Sequence, residues 1–246
     1  MKRIGYGGAT VVGKALLRAL HERHLRSIPF EDLDIHQNIP IRLDPESLYQ
    51  KLVVRRRGGF CYELNYLFSQ LLSALGFDCH LLAASIYDAK KGWGPEFDHL
   101  ALLVSLDEPW LVDVGYGELF FFPKKIEDPR PQRDWDKYYR IDRTDRTACF
   151  LFESSDGSEF TQRYRFSLAP RKIEDFYAEC IRKQRSADSH FVKNKICTLP
   201  TARGRMTLFN DKFIETVDGL KKQSTIGSPA ALEALLATKF GIVLNP

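Results

Sequence analysis

Five cysteines, Cys61, Cys79, Cys149, Cys180 and Cys197, are too few, odd in number and too irregularly spaced for a disulfide framework, which points to a reducing compartment. No Cys-x-x-Cys or His-x-x-x-His pair occurs, so no metal site is expected. Cys79 and His80, neighbours on an expected strand, would face opposite ways and share no ion. No segment reaches membrane-spanning length, and Met1 to Gly8 contains no apolar core of a secretion signal. The expectation is a cytoplasmic protein with no membrane partner. Charge of one sign is also scarce. A net +4, dispersed along the chain, is too small to argue for nucleic acid yet compatible with an anionic ligand. Internal repeats and low-complexity tracts are absent. What remains is an ordinary globular composition, 44% hydrophobic over 246 residues, enough for one large domain or two or three small ones.

The patterning changes along the chain. The first third reads helical: Leu16, Leu17 and Leu20 recur at helical spacing between Thr10 and His24, and Pro29 punctuates the exit. Asp44-Pro45 supplies an N-cap and first-turn pair for a second helix to about Val54. From Asp78 to about Ala169 the period becomes two. Strands are expected at 80–87, 97–105, 110–117, 148–152 and 163–168, forming an antiparallel sheet or barrel, with Glu127 to Asp136 as a long loop. The last part mixes an amphipathic helix over 171–185, a hairpin of 203–208 and 212–217 around Asn210-Asp211, and a final helix from Ser228-Pro229 to about Phe240, stopped by Gly241.

The chemistry concentrates at Arg56-Arg57-Gly58-Gly59-Phe60-Cys61-Tyr62-Glu63-Leu64-Asn65. This is a glycine turn that delivers Cys61 onto the first turn of a helix. Leu64, Leu67, Phe68, Leu71, Leu72 and Leu75 mark its apolar face, and Gly76 sits where a left-handed cap would end it. The positive end of a helix macrodipole and unpaired backbone N–H groups favour a thiolate there. The competing reading is a small buried hydrophobe, the usual fate of cysteine. A nucleophile needs a base. His99 opens one apolar run and Asp113 interrupts a second, with Leu106-Asp107-Glu108-Pro109 between them. An odd loop of Leu106, Asp107 and Glu108 pairs Ser105 with Pro109 and sets Ala101 opposite Asp113. His99 is then a diagonal neighbour on the same face. An even loop would separate the two. A buried Asp113 is costly without a partner, which a histidine would supply. Alternatively His99 is a satisfied strand-end residue and Asp113 caps the following turn. Cys, His and Asp in that order match a papain-type thiol triad.

Arg3-Ile4-Gly5-Tyr6, Ile28-Pro29-Phe30-Glu31-Asp32-Leu33, Arg57 to Asn65 and Asp113-Val114-Gly115-Tyr116-Gly117 resemble the signature segments of the arylamine N-acetyltransferases. The resemblance covers nearly the whole chain. It implies an α+β, papain-like thiol-enzyme fold with an N-terminal helical bundle (1–77), a central antiparallel β-barrel (78–169) and a C-terminal α/β lid (170–246). It also implies that Cys61 carries the acetyl group, His99 activates it and Asp113 orients His99. Acetyl-CoA would be a co-substrate, with no permanently bound cofactor, and a small aromatic amine or hydrazine the acceptor. The family usually has a short helix before Arg3-Ile4-Gly5-Tyr6. This chain opens almost on that segment, which implies a trimmed start or a start codon placed too far downstream. Asp32 stands where the family commonly has Asn.

Three further features bear on ligands. Arg55-Arg56-Arg57 is either a phosphate patch or, more ordinarily, solvated charge. Phe120-Phe121-Phe122 cannot all face one side of a strand, so at least one is expected to be exposed or to line a cavity near Asp113, with core packing and an aromatic substrate pocket as the alternatives. Arg203, Arg205 and Lys212 are phosphate partners by charge alone. The same triad could serve a thiol hydrolase, a transglutaminase-like enzyme or an amide synthase closing a macrocycle, because the acceptor is chosen by the pocket. A non-catalytic module would be favoured by replacement of a triad member, and none is replaced.

Overall fold

Apolar residues on both faces of consecutive strands require something to bury each face, and the arrangement of helices and strands follows from that demand. The computed structural model describes residues 1–145 and 148–244. In chain order it has α1 (Lys14–Ser27), β1 (Phe30–Glu31), α2 (Leu33–His36), α3 (Pro45–Tyr49), α4 (Cys61–Ala74), β2 (Asp78–Asp88), β3 (Gly92–Trp93), β4 (His99–Ser105) and β5 (Pro109–Val112). There follow β6 (Lys124–Lys125), β7 (Gln132–Asp134), β8 (Lys137–Arg143), β9 (Ala148–Ser154) and β10 (Thr161–Ser167). The last part holds α5 (Tyr177–Arg185), α6 (His190–Lys193), β11 (Ile196–Thr201), β12 (Gly204–Phe209), β13 (Lys212–Val217), β14 (Leu220–Thr225) and α7 (Pro229–Leu235).

Local chemistry sets several of these boundaries. Asp44 accepts a hydrogen bond from the Ser47 N–H at 2.8 Å, and Pro45 occupies the first turn of α3. One wider turn, closed by the Arg55 N–H on the Gln50 carbonyl, carries that helix on to Val54. Gly76, with a φ of 92°, ends the run of α4 in a conformation that glycine adopts without strain. α1 starts at Lys14, four residues later than the leucine spacing suggests, with Gly13 at its N-cap.

The larger sheet runs β6-β5-β4-β2-β10-β9-β8-β7, all antiparallel, with β3 paired to β2. Its two edges are tied side chain to main chain. Gln132 exchanges two hydrogen bonds with the Lys125 backbone, and Lys124 pairs with Asp134. These contacts nearly close the sheet into a barrel. Alternation sends Leu82, Ala84, Ala101, Leu111, Tyr139, Ile141, Leu151 and Tyr164 inside it. Leu81, Ala83, Leu100, Leu102, Val104 and Val112 instead pack on Leu17, Leu20, Leu64, Phe68 and Leu72 of the helices. The region 127–136 is therefore not a plain loop. It contains β7, and Lys137–Arg143, unassigned by the sequence reading, is a strand with Tyr139 and Ile141 turned inward.

A second sheet, β1-β11-β12-β13-β14, joins the beginning of the chain to its end: Phe30 lies opposite Thr198 and Glu31 opposite Cys197. The expected hairpin around Asn210-Asp211 is its β12–β13 pair, with Asn210 at a φ of 56° in the turn. α7 is capped by Ser228 through the Ala231 N–H, and Gly241 at a φ of 66° stops the turn that follows. Among the described residues no helix is long and apolar enough to cross a membrane.

Candidate active site

Cys61 is the first residue of α4, and its N-cap, Phe60, has no side chain able to accept from the first-turn N–H groups. Glu63 compensates in part by accepting the Phe60 N–H at 3.1 Å. The turn before the helix is held by close backbone packing. A Cβ on Gly58 would lie 2.1 Å from the Pro29 carbonyl oxygen, so no other residue fits there without displacement. Behind the helix start lies a buried cluster of charges. Arg57 pairs with Glu31 and Asp34, and Lys51 with Asp34 and Glu63, at 2.7 to 2.9 Å. Arg57 is thus an internal structural cation, not solvated charge. Burial pushes the Glu63 carboxyl up to about 7, against the opposing charge of Lys51.

Ser105 pairs with Pro109, as the odd loop requires, and the ladder of β4 and β5 ends with Leu102 opposite Val112. Asp113 lies one step further, level with Ala101. The strand stops there, shorter than the expected 110–117, because the Asp113 backbone and carboxylate take other partners. Its Oδ1 accepts from the Gly115 N–H and from Asn65 Nδ2, both at 2.9 Å, and its N–H donates to His21 Nε2 at 3.2 Å. Asp113 Oδ2 is left for His99, whose Nε2 donates to it at 2.7 Å. The other ring nitrogen of His99, Nδ1, is the one left for the Cys61 side chain. All three side chains are buried.

Burial alone would lower the His99 pKa. The Asp113 carboxylate, its hydrogen bond and Cys61 outweigh burial and raise it to about 10. Burial would likewise raise the Asp113 carboxyl, but the His99 charge and the bonds from His99, Asn65 and Gly115 hold it below the usual carboxylate range. The two groups form an ion pair in which the proton stays on the imidazole. Tyr116 packs edge-on to the His99 ring, 5.5 Å away, and Tyr164 is tilted over it at 5.4 Å.

Two residues that bind this centre were not singled out from the sequence. Asn65, one helical turn after Cys61, donates to Asp113 Oδ1 and to the Leu100 carbonyl and accepts the Val114 N–H at 2.8 Å. Its position at i+4 from Cys61 was the legible signal, since that spacing puts both on one helix face. His21, on α1, had no such signal. Gly115 matters through what it lacks: a Cβ there would lie 2.8 Å from Cys61 Cα and 2.6 Å from Asn65 Nδ2.

The other candidate ligand residues divide. Phe120 is core, stacked on His21 at 5.6 Å and edge-on to Tyr139. Phe121 lies against Trp135, and the Arg18 guanidinium sits 3.4 Å over Phe122. Arg205 is turned inward, donating to the Gly117 carbonyl at 2.7 Å and to Thr198 Oγ1 at 3.0 Å. Arg203 pairs with Asp218, and Lys212 is exposed at the start of β13. From the C-terminal segment, Phe191 of α6 reaches Phe30 and Phe60, the residue before Cys61. Among the described residues no group of three or more His, Cys, Asp or Glu side chains is placed to hold a metal, and all five cysteines are free.

Known proteins resemble this chain both in sequence and in fold. A family model described as N-acetyltransferase matches residues 15–246. The arylamine N-acetyltransferase of Escherichia coli K12 is 30% identical, over 98% of this chain and 86% of its own length. Proansamycin X synthase of Amycolatopsis mediterranei is 27% identical over 96% of this chain and 94% of its own. The structure of Mycobacterium marinum arylamine N-acetyltransferase in complex with CoA superposes with a TM-score of 0.88 at 29% identity, covering 98% of this chain and 90% of that one.

Proposed function

This chain belongs to the arylamine N-acetyltransferase family, and on that premise we propose that Cys61, His99 and Asp113 are the triad through which it moves acetyl groups from acetyl-CoA to arylamines or arylhydrazines. The observation that carries the triad is the 2.7 Å contact of His99 Nε2 with Asp113 Oδ2, with the start of α4 at Cys61 brought against the same turn by the close packing of Gly115.

The chemistry follows from where the proton rests. With the proton on His99, the Cys61 sulfur attacks the acetyl thioester carbonyl as a thiolate, assisted by the helix N-terminus on which it sits. The tetrahedral intermediate collapses by breaking the bond to the CoA sulfur. His99 gives its proton to that leaving thiolate, and Cys61 is left as an acetyl thioester. The amine nitrogen then attacks the thioester carbonyl and gives its proton to the neutral His99. Breaking the carbon–sulfur bond restores the thiolate and the imidazolium. Asp113 stays ionised throughout, fixing the imidazole orientation and stabilising its charge. Water must be kept from the acetyl-enzyme, and the contacts of Phe191 with Phe30 and Phe60 support a covering role for the C-terminal segment.

A second reading keeps the triad and changes the acceptor. The Amycolatopsis relative is a synthase by name, which favours an amide synthase as the alternative. Presenting the acetylated enzyme with a simple arylamine separates the two, since the synthase reading predicts no acetylated amine.

The triad is tested by alkylation. Cys61 should react with iodoacetamide well below the pH at which a free thiol, pKa about 8.5, becomes reactive. His99→Gln should remove that reactivity. Identical pH profiles for the two proteins would make His99 a bystander.

A further inference from the structure

Asp113 lies past the last residues of β5 that pair with β4 or β6, so its backbone N–H has no strand partner. That N–H is buried and would be costly unpaired. It is satisfied from 92 residues away, by Nε2 of His21 at 3.2 Å. The opposite nitrogen, Nδ1, faces the Phe121 carbonyl at 2.8 Å. An N–H can only be received by a bare nitrogen, and a carbonyl can only receive from a protonated one. The two contacts together specify a neutral ring carrying its proton on Nδ1. The surroundings agree. The ring is fully buried, stacked on Phe120 and edge-on to Phe68, and burial lowers its pKa to about 4 despite the nearby charges of Asp113 and Asp134. Among the described residues the side-chain hydrogen bonds and ring contacts of His21 go to Asp113, Phe121, Phe68 and Phe120, and none goes to Cys61 or His99. It holds the main chain of the residue whose carboxylate holds His99.

We propose that His21 is a positioning residue for acetyl transfer: its neutral imidazole, protonated on Nδ1, bridges the Asp113 N–H and the Phe121 carbonyl and so fixes the backbone from which the Asp113 carboxylate reaches His99. This rests on the triad reading. The bridge has two consequences. It anchors α1 to the end of β5, so that the first helix of the chain, remote in sequence from the triad, sets the direction of one triad member. It also ties Asp113 to Phe121, beyond the Gly115-Tyr116-Gly117 turn, closing the loop around that turn through one side chain. Asn65 holds the carboxylate and the Val114 N–H from the α4 side. Asp113 is therefore clamped from two helices, and only one clamp reaches its own main-chain N–H.

The experiment compares His21→Leu, His21→Gln and Asp113→Asn by single-turnover release of CoA thiol from acetyl-CoA and by the pH profile of Cys61 alkylation. Leucine fills the space without accepting a hydrogen bond; glutamine can both accept from Asp113 and donate to Phe121. A small misplacement of a catalytic group costs about 10²-fold, so His21→Leu should slow acetylation roughly 10- to 100-fold. Its low-pH alkylation should also weaken, and His21→Gln should recover most of both. A folded His21→Leu enzyme with wild-type rate and profile, beside a slow Asp113→Asn enzyme, overturns the role of His21 alone. An Asp113→Asn enzyme of wild-type rate overturns the triad reading and this inference with it. If His21→Leu does not fold, the ring nitrogens of the wild-type protein decide by ¹⁵N NMR near neutral pH. A pyrrole-type Nδ1 with a pyridine-type Nε2 is required; the reverse tautomer or a charged ring overturns the proposal.

Discussion

Asp113 sits in an apolar stretch where a lone carboxylate would be expensive, and both carboxylate oxygens and the backbone N–H have partners: His99 and Asn65 on the carboxylate, with Gly115 sharing Oδ1, and His21 on the N–H. Replacing it by asparagine keeps the shape and removes the charge that holds the proton on His99. Positioned acid–base groups contribute about 10²- to 10⁴-fold, and a thiol depends on its base less than a hydroxyl does. Asp113→Asn should therefore slow acetylation by about 10²-fold, measured as CoA release in a single turnover. Stability should change with pH in a defined window. His99 binds its proton more tightly folded than unfolded, so its contribution is complete below about 6.5 and is lost as pH rises through about 10. Asp113, held below the usual 3.8, contributes above that value and loses the contribution as the solution is acidified. The destabilisation caused by Asp113→Asn should be greatest between those two ordinary values and fade toward pH 10. Denaturant midpoints across that range check it; a pH-independent difference would mean the pair is not ionised.

At the scale of elements, the start of α4 is fixed by the buried charges beneath it. Arg57, Glu31, Asp34, Lys51 and Glu63 join the turn before Cys61 to β1, α2 and the end of the preceding helix. Removing one partner from such a cluster leaves an uncompensated buried charge, a loss of about 3–5 kcal/mol. Arg57→Ala should lower unfolding stability by that amount, read from denaturant titration, whereas Arg55→Ala, at an exposed position, should change it little. The sequence shows the Gly-Gly-Phe-Cys turn and helix plainly, but the role of Arg57 depends on acids 23 and 26 residues earlier, with no local signal to give it away. The β4–β5 register was readable because three loop residues settle its parity. β8 was hidden: its outward residues Arg140 and Asp142 pair with each other, so the strand reads as charged loop while only Tyr139 and Ile141 turn inward. His21 was unreadable because what it satisfies is a backbone group across the molecule.

Taken whole, the molecule does not divide cleanly where its patterning changes. We propose that 1–77, 78–169 and 170–246 are segments of distinct pattern that share their cores. Ile173, Phe176 and Cys180 pack in the same cluster as Leu64, Phe68 and Leu102, and Leu33 packs with Cys197, Leu208 and Phe240. β1 pairs with β11, and Arg205 bonds the Gly117 carbonyl beyond Asp113. Shared cores predict one cooperative transition, with far-UV circular dichroism and tryptophan fluorescence coinciding. Two resolved transitions would mean independently stable parts. The proposed site is assembled from α1, α4, β4 and the end of β5, so formation of the proposed acetyl-enzyme should require the assembled fold. The most direct measurement is intact-protein mass after incubation with acetyl-CoA and no acceptor, followed by mapping of the modified peptide. A single acetyl adduct on Cys61, absent in Cys61→Ala and discharged by an arylamine, is the predicted result. An adduct that persists in a folded Cys61→Ala protein, or no adduct on the wild type, would contradict the account.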